Sequence, residues 1–288
     1  MSEMDYIMIP ELEDFIRRGL AEDVGEGDHT SLACIPEDDV TEARLLVKED
    51  CVFSGLPVAE AMMKYVDPDV EIDFQVAEGE EVQAGKTAFL VRMNTHALLM
   101  VERFMLNTLQ RMCAIATMSR SYAVEVEGWP VQILDTRKTT PHMRLLEKWA
   151  VKTGGCTNYR MGLYDRIMIK DNHVDAAGSM KSALNKVHQY LAEKNLNLEV
   201  TVEVRDFQEL NEALKIGGFQ RIMLDNFSVA EMREAVSLID GRYEVEASGG
   251  ITLHDLKAIA KTGVDFISVG ALTHGVRAVD LSLKVIKK

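Results

Sequence analysis

Beyond residue 130 the apolar positions fall into short runs rich in β-branched residues, each ending in polar ones, separated by stretches of helical period. Six such runs occur: Val131–Asp135, Arg166–Lys170, Leu198–Glu203, Arg221–Asp225, Tyr243–Ser248 and Phe266–Gly270, with starts 35, 32, 23, 22 and 23 residues apart. Between them, Met180–Lys194 carries Ala183, Leu184, Val187 and Leu191 on one face, which is the period of an amphipathic helix. Asp206–Ile216 opens on an acidic N-cap and stops at Gly217-Gly218; Ser228–Ile239 opens on Ser228 with Glu231 three residues later, a capping box; Thr252–Thr262 stops at Gly263. Strand, helix, strand in this order predicts parallel strands joined by right-handed crossovers. Six units fit an incomplete α/β barrel or an open doubly wound sheet, and both gather ligands at the carboxyl ends of their strands. Those ends carry Asp135, Arg137, Lys170, Glu203, Asp225, Ser248 and Gly270.

The first 115 residues follow another pattern. Pro10–Leu20 and Pro57–Tyr65 read as helices with proline at the tolerated first position. Glu42–Val47, Val70–Val76 and Ala88–Met93 read as strands, and Leu98–Thr117 as a long helix turning Leu99, Phe104, Leu106, Leu109 and Met112 inward. Glu78-Gly-Glu-Glu-Val82-x-x-Gly85 resembles the turn of lipoyl-like hammerhead modules. Lys48 is the better candidate for a carrier lysine, but nothing else supports it, so the stretch reads as a structural β module. Two domains follow, 1–115 and 116–288, with the last helix as a candidate to pack back on the first.

Composition narrows the function. The 288 residues carry a net charge of −14, which disfavours general nucleic-acid binding, since that needs a broad basic surface. The chain shows no apolar run near the ~20 residues of a membrane span, and charges in the first twenty residues (Glu3, Asp5, Glu11, Arg17 among them) do not fit a signal peptide. Cys34, Cys51, Cys113 and Cys156 form no C-x-x-C pair, so neither a disulfide framework nor a zinc site is indicated and a cytoplasmic setting is expected. One stretch runs against the acidic background: Arg137 to Lys170 holds eight basic residues against Glu147 and Asp165. A basic island in an acidic protein suggests a small, highly charged anionic ligand.

Several segments together carry a family resemblance: Gly27-Asp-His-Thr-Ser31, Glu102-Arg103 with Leu106-Asn107, Asp135-Thr-Arg-Lys-Thr-Thr-Pro141, Gly154-Gly155, Arg160-Met-Gly-Leu163, Ile169-Lys-Asp-Asn-His173, Ser248-Gly-Gly250 and Ser268-Val-Gly-Ala-Leu-Thr-His274. In order and spacing, from about Glu22 to the C-terminus, the chain resembles the quinolinate phosphoribosyltransferases, also called carboxylating nicotinate-nucleotide pyrophosphorylases. The resemblance implies an N-terminal α/β sandwich followed by an incomplete barrel. It implies conversion of quinolinate and phosphoribosyl pyrophosphate to nicotinate mononucleotide, pyrophosphate and carbon dioxide, with magnesium and no organic cofactor. It also implies a homodimer, with higher assembly left open, in which Arg103 of the partner subunit reaches the barrel mouth. Carried over residue by residue, Thr136, Arg137, Lys138, Tyr159, Arg160 and Lys170 line the acceptor pocket. Glu203 and Asp225 face the ribose and magnesium, directly or through water, and Ser248, Gly249, Gly250 and Gly270 hold the 5′-phosphate. Lys138, Lys170, Glu203 and Asp225 are the implied catalytic set.

The chemistry suits these residue types. Guanidinium forks bind carboxylates through paired hydrogen bonds, carboxylates offset the positive charge of a ribosyl cation, and glycine turns expose backbone N–H groups to phosphate. The chain departs from the family at Tyr159, where a histidine is usual, at Cys156, where a glycine is usual, and at His142, which follows the proline and could reach the pocket mouth. His173 lacks further ligands at metal spacing and reads as a hydrogen-bonded structural residue. Two other readings are a paralogous phosphoribosyltransferase for another anionic heterocycle, as in molybdenum-transport-associated pyrophosphorylases, and a non-catalytic phosphate-binding protein of the same fold.

Overall fold

The computed structural model describes residues 10–286 and divides into two compact units. One takes the chain to Arg120, then Thr140–Gly155 and everything from Gly275; the other takes Ser121–Thr139 and Cys156–His274.

The first unit begins with α1 (Pro10–Val24) and α2 (His29–Cys34). The Asp28 carboxylate caps α2 by accepting the N–H groups of Thr30 and Ser31 at 3.1 and 3.2 Å. There follow β1 (Val40–Val47), β2 (Cys51–Val52), α3 (Leu56–Val66), β3 (Glu71–Phe74), β4 (Glu81–Val82), β5 (Thr87–Asn94) and α4 (Thr95–Glu125). Along β1, Ala43, Leu45 and Val47 are buried while Glu42 and Arg44 are exposed, the alternation of a sheet covered on one face. Leu106, Leu109 and Met112 of α4 are buried as expected. Phe104 is half-buried instead, its ring centroid 5.2 Å from that of Phe15.

The hammerhead-like turn is structural. The Glu78 carboxylate accepts the N–H groups of Gly55 and Leu56, both at 2.9 Å, and Lys48 is in an ion pair with Asp280 at 2.8 Å.

One expectation is corrected here. The last element among the described residues is not a helix but β12 (Leu281–Val285), which pairs antiparallel with β1, Leu45 opposite Leu283, giving the sheet order β12-β1-β5-β3. Leu281 and Leu283 are buried with Ser282 less so, a period of two that covers the otherwise open edge of β1. The compact units are not continuous in sequence. The helix α5 (Arg144–Thr153) belongs to the first unit, where the fully buried Glu147 accepts Arg111 Nε at 2.7 Å.

The second unit is a six-stranded parallel sheet. Its strands are β6 (Gln132–Leu134), β7 (Ile167–Ile169), β8 (Val200–Val204), β9 (Arg221–Asp225), β10 (Glu244–Ser248) and β11 (Phe266–Ser268), ordered β6-β11-β10-β9-β8-β7. Between strands run α6 (Asp171–Ala177), α7 (Met180–Lys194), α8 (Phe207–Ile216), α9 (Val229–Ile239) and α10 (Leu256–Ala260), with α11 (Ala271–His274) after β11. The first and second strands are the two edges, so this is an incomplete barrel, open between β6 and β7. The segment at Thr157 closes part of the gap, donating its N–H to Ile133 at 2.8 Å and accepting that of Asp135 at 3.1 Å. The helix expected over Thr252–Thr262 is broken: a 3-10 turn at Leu253–Asp255 precedes the five residues of α10. Asp255 folds back on the Thr252 N–H at 2.9 Å and tightens that turn.

Right-handed crossovers between adjacent strands put the helices on one face. Residues turned to that face (Val202, Val204, Ile222, Leu224, Val245, Ile267) are at most 3% exposed. The opposite, concave face carries Thr201, Glu203, Arg221, Asp225, Glu246, Ser248 and Ser268. A helix-side apolar layer and a polar interior alternate residue by residue along the same strands.

Candidate active site

Strand ends deliver the site residues to one rim of the second unit. Asp135, fully buried at the end of β6, accepts the Tyr159 backbone N–H at 2.8 Å and so ties the Tyr159–Arg160 segment to that strand. Thr136 accepts the backbone N–H of Lys138 at 3.1 Å, and the Lys138 carbonyl accepts the Thr273 hydroxyl at 2.8 Å. The Lys138 stem lies over Gly270: a Cβ added there would sit 3.1 Å from Lys138 Cδ and 3.1 Å from His274 Nε2.

At the end of β7, Lys170 makes an ion pair with Glu203 of β8. Glu203 is 6% exposed. His173 Nδ1 accepts the Lys170 N–H at 2.9 Å at the start of α6, the structural role expected for it. At the end of β9, the Asn226 amide donates to Asp225 at 2.8 Å. Gly249 has φ +107, and a Cβ there would meet Asn226 Oδ1 at 2.3 Å and Asn226 N at 2.7 Å, whereas Gly250 (φ +59) has nothing within 4 Å.

Arg137 and Arg160 feel each other's charge. Burial, and next the Arg137 charge, depress the Arg160 pKa. Arg137 Nε is buried with no hydrogen-bond partner among the described residues. A buried guanidinium donor without a partner is the kind of group that an anion satisfies.

Beneath them lies a network that the sequence reading missed. The hydroxyl oxygens of Tyr159 and Thr201 are 2.7 Å apart. The guanidiniums of Arg166 and Arg221 lie 5.2 and 5.1 Å from the Tyr159 ring centroid, and that of Arg221 lies 3.7 Å from the ring of Phe266. Arg221 pairs with Glu244 at 2.9 Å and with the fully buried Glu246 at 3.4 Å, and Ser268 donates to Glu246 at 2.5 Å. Burial pushes the Tyr159 phenol up to about 12, with Glu246 adding to it. Burial likewise raises the Glu246 pKa, opposed by Ser268, Arg221 and Tyr159. The one signal was the alternation of polar residues in Glu244-Val-Glu-Ala-Ser248, a pattern that on a strand reads equally as a solvent-facing side.

Glu203 and Asp225 are two carboxylates, and no group of three or more candidate metal ligands occurs among the described residues. That donor set does not form a protein-only cage. It does suit Mg²⁺, which is usually held by one or two carboxylates together with substrate phosphates.

Arg103 belongs to the first unit, unlike the other expected site residues. It is exposed on α4 and lines a cavity of about 540 Å³ with Phe15, Arg18, Phe104, Asn107 and His142. His142 is therefore placed in that unit and not among the strand-end residues.

An open α/β barrel with cations, carboxylates and glycine turns at its strand ends defines a protein that binds anionic, phosphate-bearing ligands. The chain belongs to the quinolinate phosphoribosyltransferase family. The family's N-terminal domain matches residues 28–113 and its C-terminal domain residues 115–284. A tobacco protein named quinolinate phosphoribosyltransferase (decarboxylating) 1b is 43% identical over 290 residues, covering 96% of this chain and 82% of its own. A Synechocystis protein named probable nicotinate-nucleotide pyrophosphorylase (carboxylating) is 38% identical, covering 96% and 93%. The solved nicotinate-nucleotide pyrophosphorylase of Francisella tularensis superposes with a TM-score of 0.88 at 36% identity, over 98% of this chain and 99% of that one.

Proposed function

We propose that the protein transfers the phosphoribosyl group of phosphoribosyl pyrophosphate to the ring nitrogen of quinolinate, releasing pyrophosphate. Loss of carbon dioxide and uptake of a proton at the vacated ring carbon then give nicotinate mononucleotide. The observation that carries this reading is the buried Nε of Arg137, without a hydrogen-bond partner among the described residues, in a guanidinium whose charge is felt at Arg160. A planar dicarboxylate supplies the charge and the acceptor lone pairs that this pair lacks.

Cleavage at the anomeric carbon builds positive charge on the sugar and negative charge on the departing pyrophosphate. Asp225 and Glu203 oppose the first, and Lys138 and Lys170 the second. The ion pair with Glu203 holds the Lys170 ammonium at the end of β7 without reorganisation during the step. Mg²⁺ arriving with the pyrophosphate would be held by Glu203 and Asp225 and would supply neutralisation of the leaving group. The Ser248-Gly249-Gly250 turn and Gly270 receive the 5′-phosphate, Gly250 having open space where a side chain would stand.

The working assembly is a homodimer in which Arg103 of the partner subunit completes the acceptor pocket. The proposed compartment is the cytoplasm. Four free thiols fit a reducing setting, no described helix is long and apolar enough to cross a membrane, and cell fractionation decides the point, since relatives in Arabidopsis and tobacco carry chloroplastic and mitochondrial names.

Pyrophosphate release tests the function. With phosphoribosyl pyrophosphate and Mg²⁺, quinolinate should support release and nicotinate should not. Equal rates with the two acceptors would overturn the dicarboxylate reading.

A further inference from the structure

Glu246 is a fully buried carboxylate in mid-strand that no step of the proposed reaction uses. Its surroundings are organised. One oxygen accepts the Ser268 hydroxyl at 2.5 Å, and the other faces Arg221 at 3.4 Å. The nearby Tyr159 phenol also favours its charged form. Tyr159 is fixed at its backbone by Asp135 and at its hydroxyl by Thr201, both described above, and precedes Arg160 directly. A buried charge is tolerated when its lone pairs are satisfied on several sides, and here one of the satisfying groups, Arg221, lies against the Tyr159 ring.

We infer that Glu246 is a positioning residue for the dicarboxylate acceptor. It holds Arg221 against one side of the Tyr159 ring, and its charge favours the neutral phenol. Ring and backbone of Tyr159 are thereby locked, and with them the guanidinium of Arg160 at the acceptor pocket. The inference rests on the function proposed above for that pocket.

Geometry and simple electrostatics predict opposite signs here, which makes the idea easy to break. If Glu246 acted only through its charge, removing that charge would leave the pocket more positive, and a dianionic acceptor would bind more tightly. If it acts by positioning, removing it loosens Arg160 and the acceptor binds more weakly.

The experiment compares steady-state constants of the full-length protein as wild type and as Glu246→Gln, Glu246→Asp, Ser268→Ala and Tyr159→Phe. Positioning predicts that Glu246→Gln raises the KM for quinolinate about tenfold while the KM for phosphoribosyl pyrophosphate stays within about twofold. Ser268→Ala, which removes one hydrogen bond and no charge, should shift the quinolinate KM in the same direction by a smaller factor. Glu246→Asp should recover part of the loss. In a Tyr159→Phe background the Glu246→Gln effect should shrink, because the two share one chain of contacts. A lowered quinolinate KM, parallel changes in both KM values, or full additivity of the two substitutions would overturn the inference. Should Glu246→Gln fail to fold, Ser268→Ala and Tyr159→Phe carry the same comparison. A wild type inactive on quinolinate would sink the proposed function instead, and so stands apart from these outcomes.

Discussion

The hydroxyl oxygens of Tyr159 and Thr201 lie 2.7 Å apart, so the phenol is engaged within the barrel. An imidazole would change charge near neutrality, whereas this phenol, pushed up to about 12 by burial and then by Glu246, stays neutral. The acceptor pocket's charge is to that extent insensitive to pH near neutrality.

A direct check is alkaline titration. A phenol whose folded pKa exceeds its unfolded value contributes stability that is complete below pH 10 and is lost as the pH rises through about 12. Tyr159→Phe should remove that component, on the order of 2 kcal/mol by linkage, leaving the profile below pH about 9 unchanged in shape. Urea melts of both proteins at several alkaline pH values measure it. A Tyr159 phenol titrating at the ordinary tyrosine value would refute the account.

Lys170→Ala should lower turnover at least about a hundredfold, the scale for losing a placed electrostatic group. Its effect on stability should be small, about 1 kcal/mol or less, because the lysine side chain is 41% exposed and its pairing with Glu203 is screened by solvent. Kinetics and thermal melting of the same preparation separate the two. A variant with near-normal turnover would remove Lys170 from the catalytic set.

The two glycines after Ser248 should respond differently to alanine. At Gly249, with φ +107 and Asn226 N at 2.7 Å from the new Cβ, alanine should cost at least about 2 kcal/mol and reduce the yield of folded protein. At Gly250, with φ +59 and open space, the cost should be about 1 kcal/mol. If the 5′-phosphate occupies that space, Gly250→Ala should nevertheless raise the KM for phosphoribosyl pyrophosphate about tenfold or more. An unchanged KM there would move the phosphate elsewhere.

The barrel was legible because each parallel strand is short, β-branched and bounded by turn signals, and its carboxyl end follows from chain direction alone. Lys170, Glu203 and Asp225 could therefore be placed before any coordinates. The C-terminal strand was not legible: Leu281-Ser-Leu-Lys-Val285 is too short to separate period two from a helical run, and its partner β1 lies far away in sequence. The Tyr159–Arg221–Glu246 network escaped for a related reason. A charged residue in mid-strand reads as surface unless the curvature that buries it is known, and Arg221 looks like a strand's first, exposed residue although it is 5% exposed.

The proposed dimer makes the last prediction. Arg103 is exposed on α4 in the first unit, while Lys138 is among the strand-end residues of the second. If each acceptor pocket is completed by Arg103 of the partner subunit, Arg103→Ala and Lys138→Ala should each be nearly inactive alone. In a twofold-symmetric dimer, equal mixing and subunit exchange produce half heterodimers, each with one pocket free of both changes. Activity should then return to roughly a quarter of wild type, one intact pocket in half of the dimers. Sedimentation of the mixture verifies that dimers have exchanged. Exchange without any return of activity would mean that Arg103 serves a pocket in its own subunit, or none.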